Sequence, residues 1–107
     1  VGNVEPSLKR QYLENGSYGS NYGPVVDIFA PGTDIIAADA NSDTGTKPAT
    51  GTSDAAPVVA GLALYLQTLE GLGTPNEVTA RIIELSTKDV VTEAMGSQNR
   101  LAYNGNA

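Results

Sequence analysis

The segment from Ala55 to Leu69 constrains this chain more than any other. Read as a helix, it is apolar nearly all the way round. Val58, Val59, Leu62, Leu64, Leu66 and Leu69 alternate with the small residues Ala60, Gly61 and Ala63. A helix that is hydrophobic on every side is normally buried on every side. The fold therefore has to supply a layer on each face, and the small residues suit close packing on a sheet. Ser53 is a favoured N-cap type, and Asp54 suits the positive end of the helix dipole. Pro57 is tolerable within the first turn, where its missing N–H costs nothing. The helix is thus expected to start at or just after Ser53, and Gly71-Leu72-Gly73 ends it.

A second helix follows, with Thr74 as cap, Pro75 at its first position and Glu77 completing a capping box. Val78, Ile82, Ile83 and Leu85 form its apolar face, and Arg81 and Glu84 are expected to face water. Val1–Val4 reads as a strand end, Val25–Phe29 as a short strand closed by Ala30-Pro31-Gly32-Thr33, and Ile35–Ala38 as another apolar run. Asp39 to Lys47 suits a hairpin connection. Leu101–Asn104 is the expected last strand, and Thr87 to Asn99 reads as polar loop. Glu5 to Gly23 also reads as loop. Within it, Asn15-Gly16-Ser17 fits both an Asn-Gly turn and the N-glycosylation acceptor pattern, with the turn favoured. No repeat or internal boundary divides residues 1–107.

Charge and composition remove several function classes. The net charge of -6 argues against a nucleic-acid footprint. The absence of cysteine excludes disulfides and thiolate metal sites, and the further absence of histidine argues against zinc. The longest apolar stretch is interrupted by Gly61 and Gln67 and is too short to span a bilayer, so no membrane role is expected. A start at Val1 in mid-pattern suggests a processed product, a nicked chain or a gene fragment.

Ser53 carries the chemical interest. A serine at a helix start holds its hydroxyl beside free backbone N–H groups, which can stabilise an oxyanion. Gly51, Ala55 and Ala56 would leave room for a substrate carbonyl. The plainer reading is an ordinary core helix with a capped start. A serine hydroxyl also needs a base to take its proton, usually histidine, and this chain has none.

The run Gly51-Thr52-Ser53-Asp54-Ala55-Ala56-Pro57-Val58-Val59-Ala60-Gly61 resembles the nucleophile motif of the subtilisin-like serine proteases. Ser20-Asn21-Tyr22-Gly23 and Val26-Asp27-Ile28-Phe29-Ala30-Pro31-Gly32-Thr33 resemble the family's preceding segment. Leu62 to Leu69 and Leu101-Ala102-Tyr103-Asn104 are similar to its proteinase K branch. The resemblance implies an α/β fold, the C-terminal portion of a parallel sheet flanked by helices, within one incomplete peptidase domain over 1–107. It implies Ser53 as nucleophile and the Ser53 backbone N–H as one oxyanion donor. The family's triad aspartate and histidine, and its oxyanion asparagine, precede this region. Asp27, Asp34, Asp39, Asp43 and Asp54 match none of them.

Two positions depart from the pattern. Asp54 stands where the family usually has methionine, and Val58 where it often has a second, non-catalytic histidine. Asp54 either repels the developing oxyanion, weakening activity, or points away and only favours the helix start. Asp27, by the same resemblance, contributes to a structural calcium ion in an intact parent; its plainer reading is a solvent-facing strand-end carboxylate. No cofactor is expected for catalysis. The expected function is that of the C-terminal part of a secreted serine endopeptidase acting on protein or peptide substrates. Its partner would be the N-terminal part of the protease, and the chain alone would be inactive. The alternative is a relic or pseudoenzyme module with a binding or structural role. With most of the sheet elsewhere, the chain alone is expected to be marginally stable.

Overall fold

The computed structural model describes residues 1–106. Its elements run β1 (Gly2–Val4), β2 (Phe29–Pro31), β3 (Ile35–Ala38), β4 (Thr46–Ala49), α1 (Thr52–Glu70), α2 (Pro75–Leu85), β5 (Thr87–Lys88) and β6 (Arg100–Leu101). Four strands form a mixed sheet in the order β1-β2-β6-β5. Gly2, Asn3 and Val4 lie opposite Phe29, Ala30 and Pro31 in a parallel pair, and Phe29 lies opposite Leu101 in a second parallel pair. β5 closes the edge antiparallel to β6. β3 and β4 form a separate hairpin, with Ile35 opposite Ala49. The α/β class read from the sequence is the class observed.

The core lies on both faces of the sheet. On one face Val4, Val26, Phe29 and Val91 are buried together, with Val90, Ala94 and Leu101 against them. On the other, Ile28, Leu66 and Ile82 join Val59, Leu62, Val78 and Leu85 from the two helices. Gly2 is required where it is, because a Cβ there would run into the Phe29 ring.

Two strands differ from expectation. Val25–Phe29 does alternate, with Val26 and Ile28 buried and Val25 86% exposed. The ladder, however, begins only at Phe29, where β1 and β6 supply partners. Asp27 consequently lies before the strand and not inside it. The last strand is Arg100–Leu101, and Thr87–Lys88, expected as loop, is an edge strand beside it. Asn99 holds the turn between them, its side chain bonding both N–H and C=O of Val91.

α1 starts at Thr52, one residue earlier than expected. Gly51 is the N-cap, and no side chain caps the helix, so Ser53 sits inside the first turn and does not cap it. Pro57 lies beyond that turn. It has no N–H for the Ser53 carbonyl four residues back, so the helix forgoes one bond there. Gly71 ends the helix in the left-handed conformation, with φ 67°. α2 has the expected cap: Thr74 Oγ1 accepts from the Glu77 N–H at 3.2 Å. The Glu77 carboxylate reaches one residue further back than a capping box requires, to the Gly73 N–H at 2.8 Å. Arg81 turns out to be half-buried, bridging Glu70 on α1 and Glu84, each at 3.0 Å. At the far end Lys88 Nζ donates to the carbonyls of Ile83 and Ser86, satisfying the C-terminus of α2.

The largest departure concerns the all-round apolar helix. Within α1 only Ala55 and Leu66 are fully buried, while Leu64 and Leu69 are each 65% exposed and Val58 and Tyr65 also face outward. These residues supply a layer on one side of α1 and leave the other side open. A cavity of about 500 Å³ lies between that open side and the C-terminal segment, lined by Val58, Leu62, Tyr65 and Tyr103 among others. Among the described residues, no single helix is long and apolar enough to cross a membrane.

Candidate functional site

Ser53 is exposed in the first turn of α1. The turn is anchored from below: the Gly51 N–H donates to Gly32 O at 2.9 Å, and the Asp34 N–H donates to Thr50 Oγ1 at 2.9 Å. Gly51 O in turn accepts from the N–H groups of Asp54 and Ala55, at 3.1 and 3.2 Å. That leaves the N–H groups at Thr52 and Ser53 as first-turn donors without an intrahelical acceptor. They are the kind of donors that bind an anion at a helix start.

The segments under this turn are tightly packed. A Cβ on Gly32 would lie 2.6 Å from Gly51 O, 2.8 Å from Asn3 Oδ1 and 2.9 Å from Ala55 Cβ. Only glycine lets the loop after β2 pass beneath the serine turn. Thr33 Oγ1 ties this loop to β1 through Asn3 Oδ1 at 3.1 Å and Val4 O at 3.2 Å. Asn3 is fully buried, and its Nδ2 is a buried donor with no partner among the described residues. Asn3 did not stand out in the sequence, and Gly32 did so only as part of a turn and of the resembling segment. Their roles depend on strand register, which puts Asn3 opposite Ala30, two residues short of Gly32.

The side chains of Ser53 and Asp54 both approach Gly51. A Cβ on Gly51 would lie 3.1 Å from Ser53 Oγ and 3.4 Å from Asp54 Oδ2, so both oxygens occupy the same side of Gly51.

Ser53 opens onto a cleft of about 510 Å³. Glu5 and Asp34 give it acidic walls, and Tyr12, Leu13 and Tyr18 give it an apolar one. No lysine or arginine lines it. The apolar wall belongs to a small hairpin within the expected loop: Tyr12 pairs with Gly19, and the Leu13 N–H donates to Tyr18 O at 2.9 Å. The Asn-Gly pair was its sequence signal. Arg10, buried beneath, holds the hairpin base, its guanidinium 4.9 Å from the Tyr12 ring centre and 4.8 Å from that of Tyr22, with Nε donating to Glu93 O.

Asp27 is exposed and is not among the residues that line the cleft. Its backbone carbonyl accepts from Arg100 Nη1 at 3.4 Å. Calcium takes about six to eight oxygen ligands, and no group of three or more Asp or Glu gathers among the described residues. The donors present here do not by themselves fit a calcium site.

As an assembly, Ser53 has two of the elements of an acyl-transfer centre: an accessible hydroxyl and adjacent free N–H groups. The usual base is missing: the chain contains no histidine, and no lysine lines the cleft.

The sequence profile of the Subtilase family matches residues 10–104. Alkaline protease 1 of Aspergillus flavus is 54% identical over 97 residues, covering 91% of this chain and 24% of that protein. The alkaline extracellular protease of Yarrowia lipolytica is 48% identical over 107 residues, covering 98% of this chain and 23% of that protein. The crystal structure of a cold adapted subtilisin-like serine proteinase superposes with a TM-score of 0.79 at 38% identity, covering 96% of this chain and 35% of the other. The chain thus spans about a quarter of the length of the curated relatives it matches.

Proposed function

The chain belongs to the subtilase family, and from that premise we propose that it is the nucleophile-bearing part of a serine endopeptidase with Ser53 as the attacking residue. The observation that carries this is the exposed Ser53 in an uncapped first turn, beside free N–H groups and at the edge of a cleft. In the reaction Ser53 Oγ attacks the peptide carbonyl, and the Ser53 N–H donates to the oxyanion that forms. The proton leaving Oγ goes to a histidine, oriented by an aspartate, both supplied by other parts of the parent protein. A second oxyanion donor comes from there too.

The 107-residue chain alone is inactive on this reading, because it has no histidine to take the serine proton. Substrates are proteins or peptides, as the family implies. Relatives named as alkaline or extracellular proteases support secretion. Any structural calcium belongs to the parent, with Asp27 offering one exposed carboxylate and the remaining oxygens coming from elsewhere.

Asp54 favours a second reading. Its carboxylate shares the side of Gly51 on which Ser53 Oγ lies, and negative charge there opposes an oxyanion. A relic with a binding or structural role would tolerate this.

A fluorophosphonate probe separates the two. Labelling requires an activated serine. The full-length parent should label at Ser53, Ser53→Ala should abolish it, and the isolated chain should stay unlabelled. A parent that folds and binds peptide but does not label would leave the relic reading.

A further inference from the structure

We propose that Asn15 carries an N-linked oligosaccharide. This rests on the secretory reading above. Among all asparagines in the chain, only Asn15 is followed by a residue other than proline and then by Ser or Thr, in Asn15-Gly16-Ser17. The sequence alone fits both an Asn-Gly turn and the acceptor pattern, with the turn favoured. The structure changes the weighing.

The three residues form the tip of the small hairpin that begins at the Tyr12–Gly19 pair. Every residue from Leu13 to Gly19 is exposed. The turn is closed by the Gly16 N–H donating to Leu13 O at 2.8 Å, and Gly16 adopts φ 74°. Asn15 serves the turn through Oδ1 only, which accepts from the Ser17 N–H at 3.0 Å and from Ser17 Oγ at 2.6 Å. Its Nδ2, the atom that would carry the sugar, is not used by the turn. A Cβ built on Gly16 would meet nothing within 4 Å, so the space beside the acceptor is open. The folded turn accommodates the modified residue without losing a bond.

The modification is a group transfer from a lipid-pyrophosphate-linked oligosaccharide. The Asn15 carboxamide nitrogen bonds to the anomeric carbon of the first sugar. The bond from that carbon to the pyrophosphate oxygen breaks, the lipid pyrophosphate leaves, and the nitrogen loses one proton. The carbohydrate then stands on the hairpin whose Leu13 and Tyr18 line the Ser53 cleft, at the rim of the site.

The test uses the full-length parent recovered from the medium of its source. Peptide mass spectrometry before and after amide-cleaving N-glycosidase should show loss of whole hexose and N-acetylhexosamine units, with aspartate left at position 15. Asn15→Gln and Ser17→Ala should lose the carbohydrate completely, and Ser17→Thr should keep it. A protein recovered outside the cell with bare asparagine at position 15, or with aspartate there and no carbohydrate, overturns the proposal and leaves secretion standing. Carbohydrate that survives Ser17→Ala also overturns it. A parent that never leaves the cell overturns secretion, and the glycan with it.

Discussion

Ser53 and Asp54 direct their oxygens to the same side of Gly51, within 3.1 and 3.4 Å of the point a Cβ there would occupy. If Ser53 is the attacking residue, as proposed, the oxyanion would form near a carboxylate, and the two negative charges would oppose each other.

Replacing that charge should speed the reaction. In the full-length parent, Asp54→Asn keeps the shape and removes the charge. An effect of about 1–1.4 kcal/mol on the transition state gives a rise of about fivefold to tenfold in kcat. Steady-state kinetics on a peptide substrate would show it, and an unchanged kcat would mean Asp54 is electrostatically idle.

Gly32→Ala should damage the serine turn from beneath. The new methyl group would sit 2.6 Å from Gly51 O and 2.9 Å from Ala55 Cβ. Overpacking of this kind costs about 1–3 kcal/mol. Denaturant unfolding of the parent should show that loss, together with a fall in kcat. A variant of normal stability and activity would show that the loop has slack.

Thr74→Ala removes the cap from the Glu77 N–H and should cost about 1 kcal/mol. Thr74→Ser should restore most of it. The site is distant from Ser53 in the chain, so kcat should not change, and a thermal melt alongside kinetics checks both expectations.

Leu64→Lys tests the open side of α1. In the isolated chain the residue is 65% exposed, so the change should leave its fold alone and reduce self-association. If the rest of the parent covers this side, the change should cost about 2 kcal/mol or more there. Equal melting points for the wild-type and variant parents would mean the face stays in solvent there too.

The sequence disclosed the helices better than the sheet. α1 carries its own termination signal in Gly71, and α2 carries Thr74, Pro75 and Glu77. Strand limits depend on distant partners. Val25 to Ile28 alternates like a strand, yet ladder pairing with β1 and β6 begins only at Phe29. Ser53 was readable because its motif is contiguous. Gly32, Asn3 and the Tyr18 wall were not, because they reach Ser53 only through register and a hairpin in a polar segment. The all-round apolarity of α1 was read as a demand for two layers, and the structure supplies only one of them.

The parallel pairing of Phe29 with Leu101 has a kinetic consequence. It closes a loop that contains the β3–β4 hairpin and both helices. Loop-closure entropy must be met before such a contact stabilises anything. During synthesis, β2 therefore waits with one edge unpaired until Arg100–Leu101 has emerged from the ribosome. In that interval the helices can form and pack on each other, but β2 still lacks one of its two neighbours. The sheet end beneath Ser53 is thus among the last parts of this chain to set.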